Sequence, residues 1–165
     1  MRPRLLPTRS SLFAPSPSLQ TRDPRSACLG THDARIKYNP VAKSLNILSV
    51  DDEFRVAHAL AFALTNPERK LTLAFSADEA LAKVSNQSEP FDVVIIDHKM
   101  PKVSGIELVQ RLRAVQFGGK IIVLSAHLTD ENRRAYAELN VNTMITKPFD
   151  VHELRGLVDS LAHVA

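Results

Sequence analysis

The chain has few of the features that mark secreted or membrane-bound proteins. Its 165 residues include one cysteine, Cys28, and no tryptophan. A single cysteine cannot form an internal disulfide bond, which excludes a disulfide-stabilised secreted scaffold. No uninterrupted apolar run approaches the roughly 20 residues that a membrane-spanning helix needs, so we expect no membrane association. These absences predict a soluble, cytoplasmic protein.

Most of the chain has no excess of positive charge, although the net charge is +3. Residues 1–44 carry eight basic and two acidic side chains, whereas the remaining 121 residues carry 13 basic and 16 acidic ones. The basic character therefore belongs to the N-terminal segment alone. Because a mildly acidic domain lacks the electrostatic footprint of a nucleic-acid binder, we expect no specific nucleic-acid binding.

The N-terminal segment, residues 1–44, is rich in arginine, serine and proline and shows no sustained helical or strand period. Such a composition cannot bury a core and predicts a disordered tail. Three further interpretations stay open. The segment fits an organellar transit peptide, it could bind anions without specificity, or translation starts downstream and the tail is not normally made.

Residues 45–165 alternate short apolar runs with segments of helical period. At 44% apolar and 24% charged residues, the chain has enough apolar material for one compact domain. Apolar strands separated by amphipathic helices predict an α/β fold, a doubly wound five-stranded parallel sheet with helices on both faces. The predicted strands are 45–50, 71–75, 93–96, 121–124 and 141–145, and the helices centre on 56–64, 80–84, 106–112, 133–139 and 151–161.

Polar side chains stand where the predicted strands end, and ligands of open parallel sheets bind at that edge. They are Asp51, Asp52 and Glu53 after the first strand, Asp97 after the third, Ser125 after the fourth and Lys147 after the fifth. Clustered carboxylates repel one another unless a cation compensates them, and Mg²⁺ prefers such oxygen ligands. With a lysine and a hydroxyl opposite, one carboxylate can attack phosphorus and form an aspartyl phosphate.

Four spaced motifs resemble the receiver domain of two-component response regulators, which has a flavodoxin-like fold. They are LNILSVDDE at 45–53, DVVIIDHKMPKVSG at 92–105, IIVLSA at 121–126 and ITKPF at 145–149. The resemblance spans residues 45–165. It implies a phosphorelay protein that signals through a conformational change and is not an enzyme.

The resemblance also implies a role for each site residue. Asp97 is the phosphoacceptor, and its donor is a sensor histidine kinase or a histidine phosphotransfer protein. Mg²⁺ is the cofactor, with Asp52 a direct ligand and Asp51 acting mainly through water. Asp97 and the backbone carbonyl of Lys99 complete the protein ligands.

The phosphoryl group is expected to be held from the other side of the cleft. Lys147 pairs with its oxygens, and Ser125 moves to hydrogen-bond one of them after phosphorylation. The family usually carries tyrosine or phenylalanine at the coupling position where this chain has Met144. Because methionine is flexible, coupling to the output surface is expected to be weaker or differently built.

Alternatives to this function come from other protein classes. A haloacid-dehalogenase-like phosphatase also uses an aspartate nucleophile with Mg²⁺, but it needs a second aspartate where this chain has Lys99. A phosphorylation-independent protein-binding module would keep the fold and lose the switch, and only Met144 favours it. Because the sequence ends at Ala165, we expect a stand-alone receiver that acts on an unknown protein target.

Overall fold

The computed structural model describes residues 44–163, in which five parallel strands alternate with five helices. The predicted disordered tail lies outside the described residues apart from Ser44. In chain order the elements are β1 (Leu45–Val50), α1 (Phe54–Leu64), β2 (Arg69–Ala74), α2 (Ala77–Asn86), β3 (Val93–Asp97), α3 (Gly105–Ala114), β4 (Lys120–Ser125), α4 (Asp130–Glu138), β5 (Thr143–Thr146) and α5 (Val151–His163).

The strands form one sheet in the order β2-β1-β3-β4-β5. Side chains alternate between the two faces of each strand, so each face builds its own apolar core. One face packs mainly on α2, α3 and α4, and the other packs on α1 and α5. The predicted fold is therefore confirmed. Of the described helices, none combines the length and the apolar composition needed to cross a membrane.

Three helices begin with hydroxyl caps. The side chains of Ser76, Ser104 and Thr129 each accept the backbone N–H three residues later, at 3.2 Å, which satisfies a donor that the helix leaves unpaired. At the other ends of α3 and α4, Gln116 and Asn140 adopt φ angles of 57° and 53°. This left-handed turn reverses the chain toward the next strand.

Two strands begin two residues away from the predicted start, and the other strand bounds differ by at most one residue. β2 begins at Arg69 rather than at residue 71, because Arg69 pairs with Leu45 although its own side chain is charged. β5 begins at Thr143 rather than at residue 141 because the turn after α4 uses Val141, whose N–H donates to the carbonyl of Tyr136 at 3.1 Å. Apolar periodicity detects neither effect.

Candidate functional site

A cleft at the carboxyl edge of the sheet brings together two carboxylates and one ammonium. Asp51 directly follows β1, Asp97 ends β3, and Lys147 directly follows β5. The Lys147 Nζ lies 2.6 Å from Asp97 Oδ1 and 3.4 Å from Asp51 Oδ2. The shorter distance identifies Asp97 as the main partner of the lysine.

The second oxygen of each carboxylate is held by a local turn. Asp97 Oδ2 accepts the N–H of Lys99 at 2.9 Å, and Asp51 Oδ1 accepts the N–H of Glu53 at 2.8 Å. Each aspartate thus bonds its own backbone two residues later, which fixes the side-chain orientation. Both carboxylates point into the cleft although Asp51 and Asp97 are buried.

Burial and charge perturb this group of side chains. Burial raises the pKa of the Asp51 carboxyl, against the lowering effects of the Glu53 N–H and of Lys147. For Lys147, burial acts to lower the pKa, but the bond to Asp97 and the charges of both aspartates outweigh it, so the pKa is raised. The lysine is therefore held in its charged form.

The mouth of the cleft offers further oxygen ligands. Asp52 and Lys99 are exposed there, and they line the cleft together with Glu53 and Ala126. No three histidine, cysteine or carboxylate side chains within residues 44–161 already surround a point where a metal ion could sit. Mg²⁺ does not require such a cage, since it usually keeps several waters and uses one or two carboxylates with phosphate oxygens. The all-oxygen donor set of Asp51, Asp52 and Asp97 fits this ion.

Ser125 ends β4 and is buried, with 2% of its surface exposed. Its hydroxyl donates to the carbonyl of His127 at 2.8 Å and accepts the N–H of the same residue at 3.1 Å. Because a hydroxyl has one hydrogen to donate, a bond from Ser125 to a phosphoryl oxygen would replace the bond to the His127 carbonyl. The ends of β4 and β5 are joined by a backbone hydrogen bond, in which the Lys147 N–H donates to the Ser125 carbonyl at 2.8 Å. The Lys147–Pro148 peptide bond is cis.

His98, which directly follows Asp97, makes contacts that the sequence did not reveal. Its ring faces α4. The Nδ1 atom lies 2.7 Å from the Tyr136 hydroxyl, and Nε2 lies 3.2 Å from the Asn132 amide. The sequence feature that could have indicated this contact is Tyr136, the one large aromatic residue in the mostly polar helix DENRRAYAE.

Met144 occupies the position where an aromatic was expected from the resemblance. It lies on β5 opposite Val123 and is partly buried against the apolar core that also contains Tyr136. A thioether is at most a weak hydrogen-bond acceptor and donates none, so Met144 contributes packing rather than a polar switch.

The fold and this cleft define a protein class that sequence comparison identifies independently. The family model for the response regulator receiver domain matches residues 47–159. The chain therefore belongs to the receiver domain family of two-component response regulators.

Several curated relatives are similar to the chain over this region. The transcriptional regulatory protein DltR of Streptococcus agalactiae is 30% identical over 110 residues, covering 67% of this chain and 48% of DltR. The alkaline phosphatase synthesis transcriptional regulatory protein PhoP of Bacillus subtilis is 30% identical over 115 residues, covering 70% and 47%. The chain thus spans about half the length of these relatives. An uncharacterized 14.6 kDa protein of Leptolyngbya boryana is 33% identical, and the match covers 69% of this chain and 87% of that protein.

Solved structures agree with this assignment. The receiver domain of the Francisella response regulator 1452 superposes with a TM-score of 0.66 at 29% identity, covering 72% of this chain and 97% of that domain. A CheY-like receiver domain protein from Methanospirillum hungatei gives a TM-score of 0.68 at 25% identity, covering 73% and 94%.

Proposed function

We propose that Asp97 accepts a phosphoryl group from the phosphohistidine of a sensor histidine kinase or a histidine phosphotransfer protein, in the presence of Mg²⁺. The observation that carries this proposal is the 2.6 Å pair between Asp97 Oδ1 and Lys147 Nζ, with Asp51 alongside. The pair supports the proposal because it brings a carboxylate oxygen and a positive charge together in an open cleft.

The transfer needs little covalent chemistry from the protein. A carboxylate oxygen of Asp97 attacks phosphorus as the bond from phosphorus to the donor imidazole nitrogen breaks, and that nitrogen keeps the electron pair. Lys147 neutralises charge on the phosphoryl oxygens, and the Lys99 N–H already orients the nucleophile. Mg²⁺ held by Asp52 and Asp97, and by Asp51 through water, supplies further charge neutralisation.

Signalling then requires a change outside the cleft. Ser125 exchanges its bond to the His127 carbonyl for one to a phosphoryl oxygen, which moves the loop that leads into α4. The domain acts on a protein target rather than turning over a substrate. Because several relatives are named transcriptional regulators, our expectation of no specific nucleic-acid binding stays a prediction.

Incubation of the full chain with acetyl phosphate and Mg²⁺, followed by intact mass measurement, tests the proposal. We expect one phosphoryl adduct on the wild type and none on Asp97→Asn, because an amide is not a competent nucleophile. Asp78→Asn removes an exposed carboxylate on α2 and is the matched control. An undiminished adduct on Asp97→Asn contradicts the proposal, and steady phosphate release from unrelated phosphate esters favours the phosphatase alternative.

A further inference from the structure

The side chain of His98 connects the loop that follows β3 to two successive turns of α4. Its two ring nitrogens face Tyr136 and Asn132, which are four residues apart on that helix and therefore share one face. The His98 and Tyr136 rings also meet edge to face, with centroids 5.8 Å apart and planes at 74°. The imidazole thus has a fixed place relative to α4.

The surroundings of this contact leave little room for movement. The His98 N–H donates to the Leu124 carbonyl at 2.8 Å, and the His98 carbonyl accepts the N–H of Gly105 at 3.0 Å. Tyr136 is fully buried, and a Cβ added at Gly105 would lie only 2.7 Å from its hydroxyl. A buried hydroxyl that loses its partner cannot turn to water, so the bond to His98 is costly to break.

The charge of Asp97 in the cleft also acts on Tyr136 of α4. Burial raises the pKa of the Tyr136 hydroxyl well above its usual range, and the negative charge of Asp97 raises it further. The aromatic that the family usually carries on β5 is absent, since Met144 occupies that position. Tyr136 and His98 therefore provide a polar aromatic link near the cleft that does not involve β5.

We propose that His98, through Tyr136 and Asn132, couples phosphorylation of Asp97 to the position of α4. The inference rests on the proposed function. A phosphoryl group brings a charge of about −1.5 to −2 and three acceptor oxygens, so the present bonds of Asp97 to Lys147 and to the Lys99 N–H must rearrange. His98 lies between Asp97 and Lys99 in the chain, and movement of that backbone turns its ring against α4. His98 and Tyr136 act as positioning residues.

Hydrogen exchange on the full chain, with and without acetyl phosphate and Mg²⁺, tests the coupling. Intact mass gives the adduct yield, and exchange of the α4 amides gives the response of the helix. Tyr136→Phe removes only the hydroxyl, and Asn132→Ala removes the second contact at a partly exposed position. The control is Thr129→Ala, which removes the cap of α4 without touching His98.

In the wild type we expect phosphorylation to change exchange in α4. Tyr136→Phe and Asn132→Ala should keep the wild-type adduct yield and lose most of that change, whereas Thr129→Ala should speed exchange in both states and keep the change. A change of wild-type size in phosphorylated Tyr136→Phe overturns the inference, as does a phosphorylated wild type whose α4 exchange is unaltered. Absence of the adduct from the wild type overturns the proposed function instead.

Discussion

At the scale of single residues, Lys147 lies closer to one of its two carboxylate partners than to the other. The two carboxylate charges are therefore compensated to different extents. The Lys147 Nζ lies 0.8 Å nearer to Asp97 than to Asp51, from the separations of 2.6 Å and 3.4 Å. Asp51 is therefore buried with less compensation, and its pKa is raised. Asp97 keeps the closer positive charge, which suits a residue proposed to carry a phosphoryl group.

Replacing Asp51 with asparagine should raise the melting temperature by a few degrees at neutral pH. A raised pKa means that the folded state binds a proton more readily than the unfolded state, so the ionised carboxylate costs stability above that pKa. The gain over the wild type should shrink as the pH falls through the raised pKa and vanish below about pH 4, the usual aspartate value. Thermal denaturation without Mg²⁺ measures it, and a lower melting temperature at neutral pH would contradict the argument.

Mg²⁺ should stabilise the fold at millimolar concentration, and the effect should depend more on Asp52 than on Asp51. Both oxygens of Asp51 are engaged, by Glu53 and Lys147. The exposed Asp52 carboxylate has no hydrogen bond within residues 44–161 and is available there to ligate an ion. Ligand binding to the folded state raises its melting temperature by mass action. If Asp52→Ala keeps the full shift and Asp51→Ala loses it, the assigned roles are reversed.

At the scale of secondary-structure elements, local interactions fix where the helices begin. α2 begins with Ser76, whose hydroxyl accepts the Glu79 N–H, while Glu79 reaches back to the Phe75 N–H at 2.8 Å. α3 begins at Gly105, packed beneath the loop of His98. The start of α3 closes the loop that carries Lys99 and so supports the cleft, whereas the start of α2 fixes the turn after β2, which contributes no residue to the cleft.

Glu79→Gln should lower stability by about 0.5–1 kcal/mol at neutral pH, because a charged cap at a helix start loses its charge. The Phe75 N–H and Lys83 both lower the pKa of Glu79. Because the pKa of Glu79 is lower in the folded state, its ionised carboxylate contributes to the free energy of unfolding. That contribution is fully present above the usual glutamate pKa of about 4.3, and it is lost as the pH falls through the lowered pKa of the folded state. Denaturant titrations should therefore show the two proteins converging in acid, and a constant difference down to pH 2 would contradict this.

Gly105→Ala should destabilise the domain by about 1–3 kcal/mol, the range for an added methylene in a packed interior. The new Cβ would lie 2.7 Å from the Tyr136 hydroxyl and 2.9 Å from the Asp97 carbonyl. Gly156→Ala on α5, where nothing lies within 4 Å, is the control and should be neutral or stabilising. Equal denaturation midpoints for the two variants would show that the contact at Gly105 relaxes freely.

At the scale of the described domain, two separate apolar cores pack on the two faces of one sheet. The cleft lies at the carboxyl edge of that sheet. The face toward α1 and α5 and the face toward α2, α3 and α4 share only the strands. The site draws on β1, β3, β4 and β5, so its geometry depends on the whole sheet. The family match begins at residue 47, three residues after the basic segment 1–44.

A chain that begins at residue 41 should keep both the melting temperature and the phosphoryl adduct yield of the full chain. The reason is compositional, since a charged, proline-broken segment supplies no apolar core. Melting curves and intact mass on the two proteins provide the comparison. A large loss of either property would show that residues 1–40 contribute to the folded domain.

The sequence by itself determined the class of the fold and the edge of the sheet that carries the polar residues. Alternating apolar strands and amphipathic helices are local patterns, and in a parallel sheet all strand ends of one kind meet at one edge. For this reason the sequence alone assigns Asp51, Asp97, Ser125 and Lys147 to the same edge of the sheet. The element bounds were less certain, because apolar periodicity marks only the buried part of an element.

Only the tertiary structure decided which side chains bond to one another. The pair of Asp97 and Lys147 spans 50 residues and the contact of His98 with Tyr136 spans 38, so neither follows from local spacing. The direction of each side chain depends on packing around it, as with the Ser125 hydroxyl, which bonds His127 rather than facing the carboxylates. The spacing of residues determines where each one lies on its strand or helix. The partner of its side chain depends on the rotamer and on elements that meet only in the folded chain.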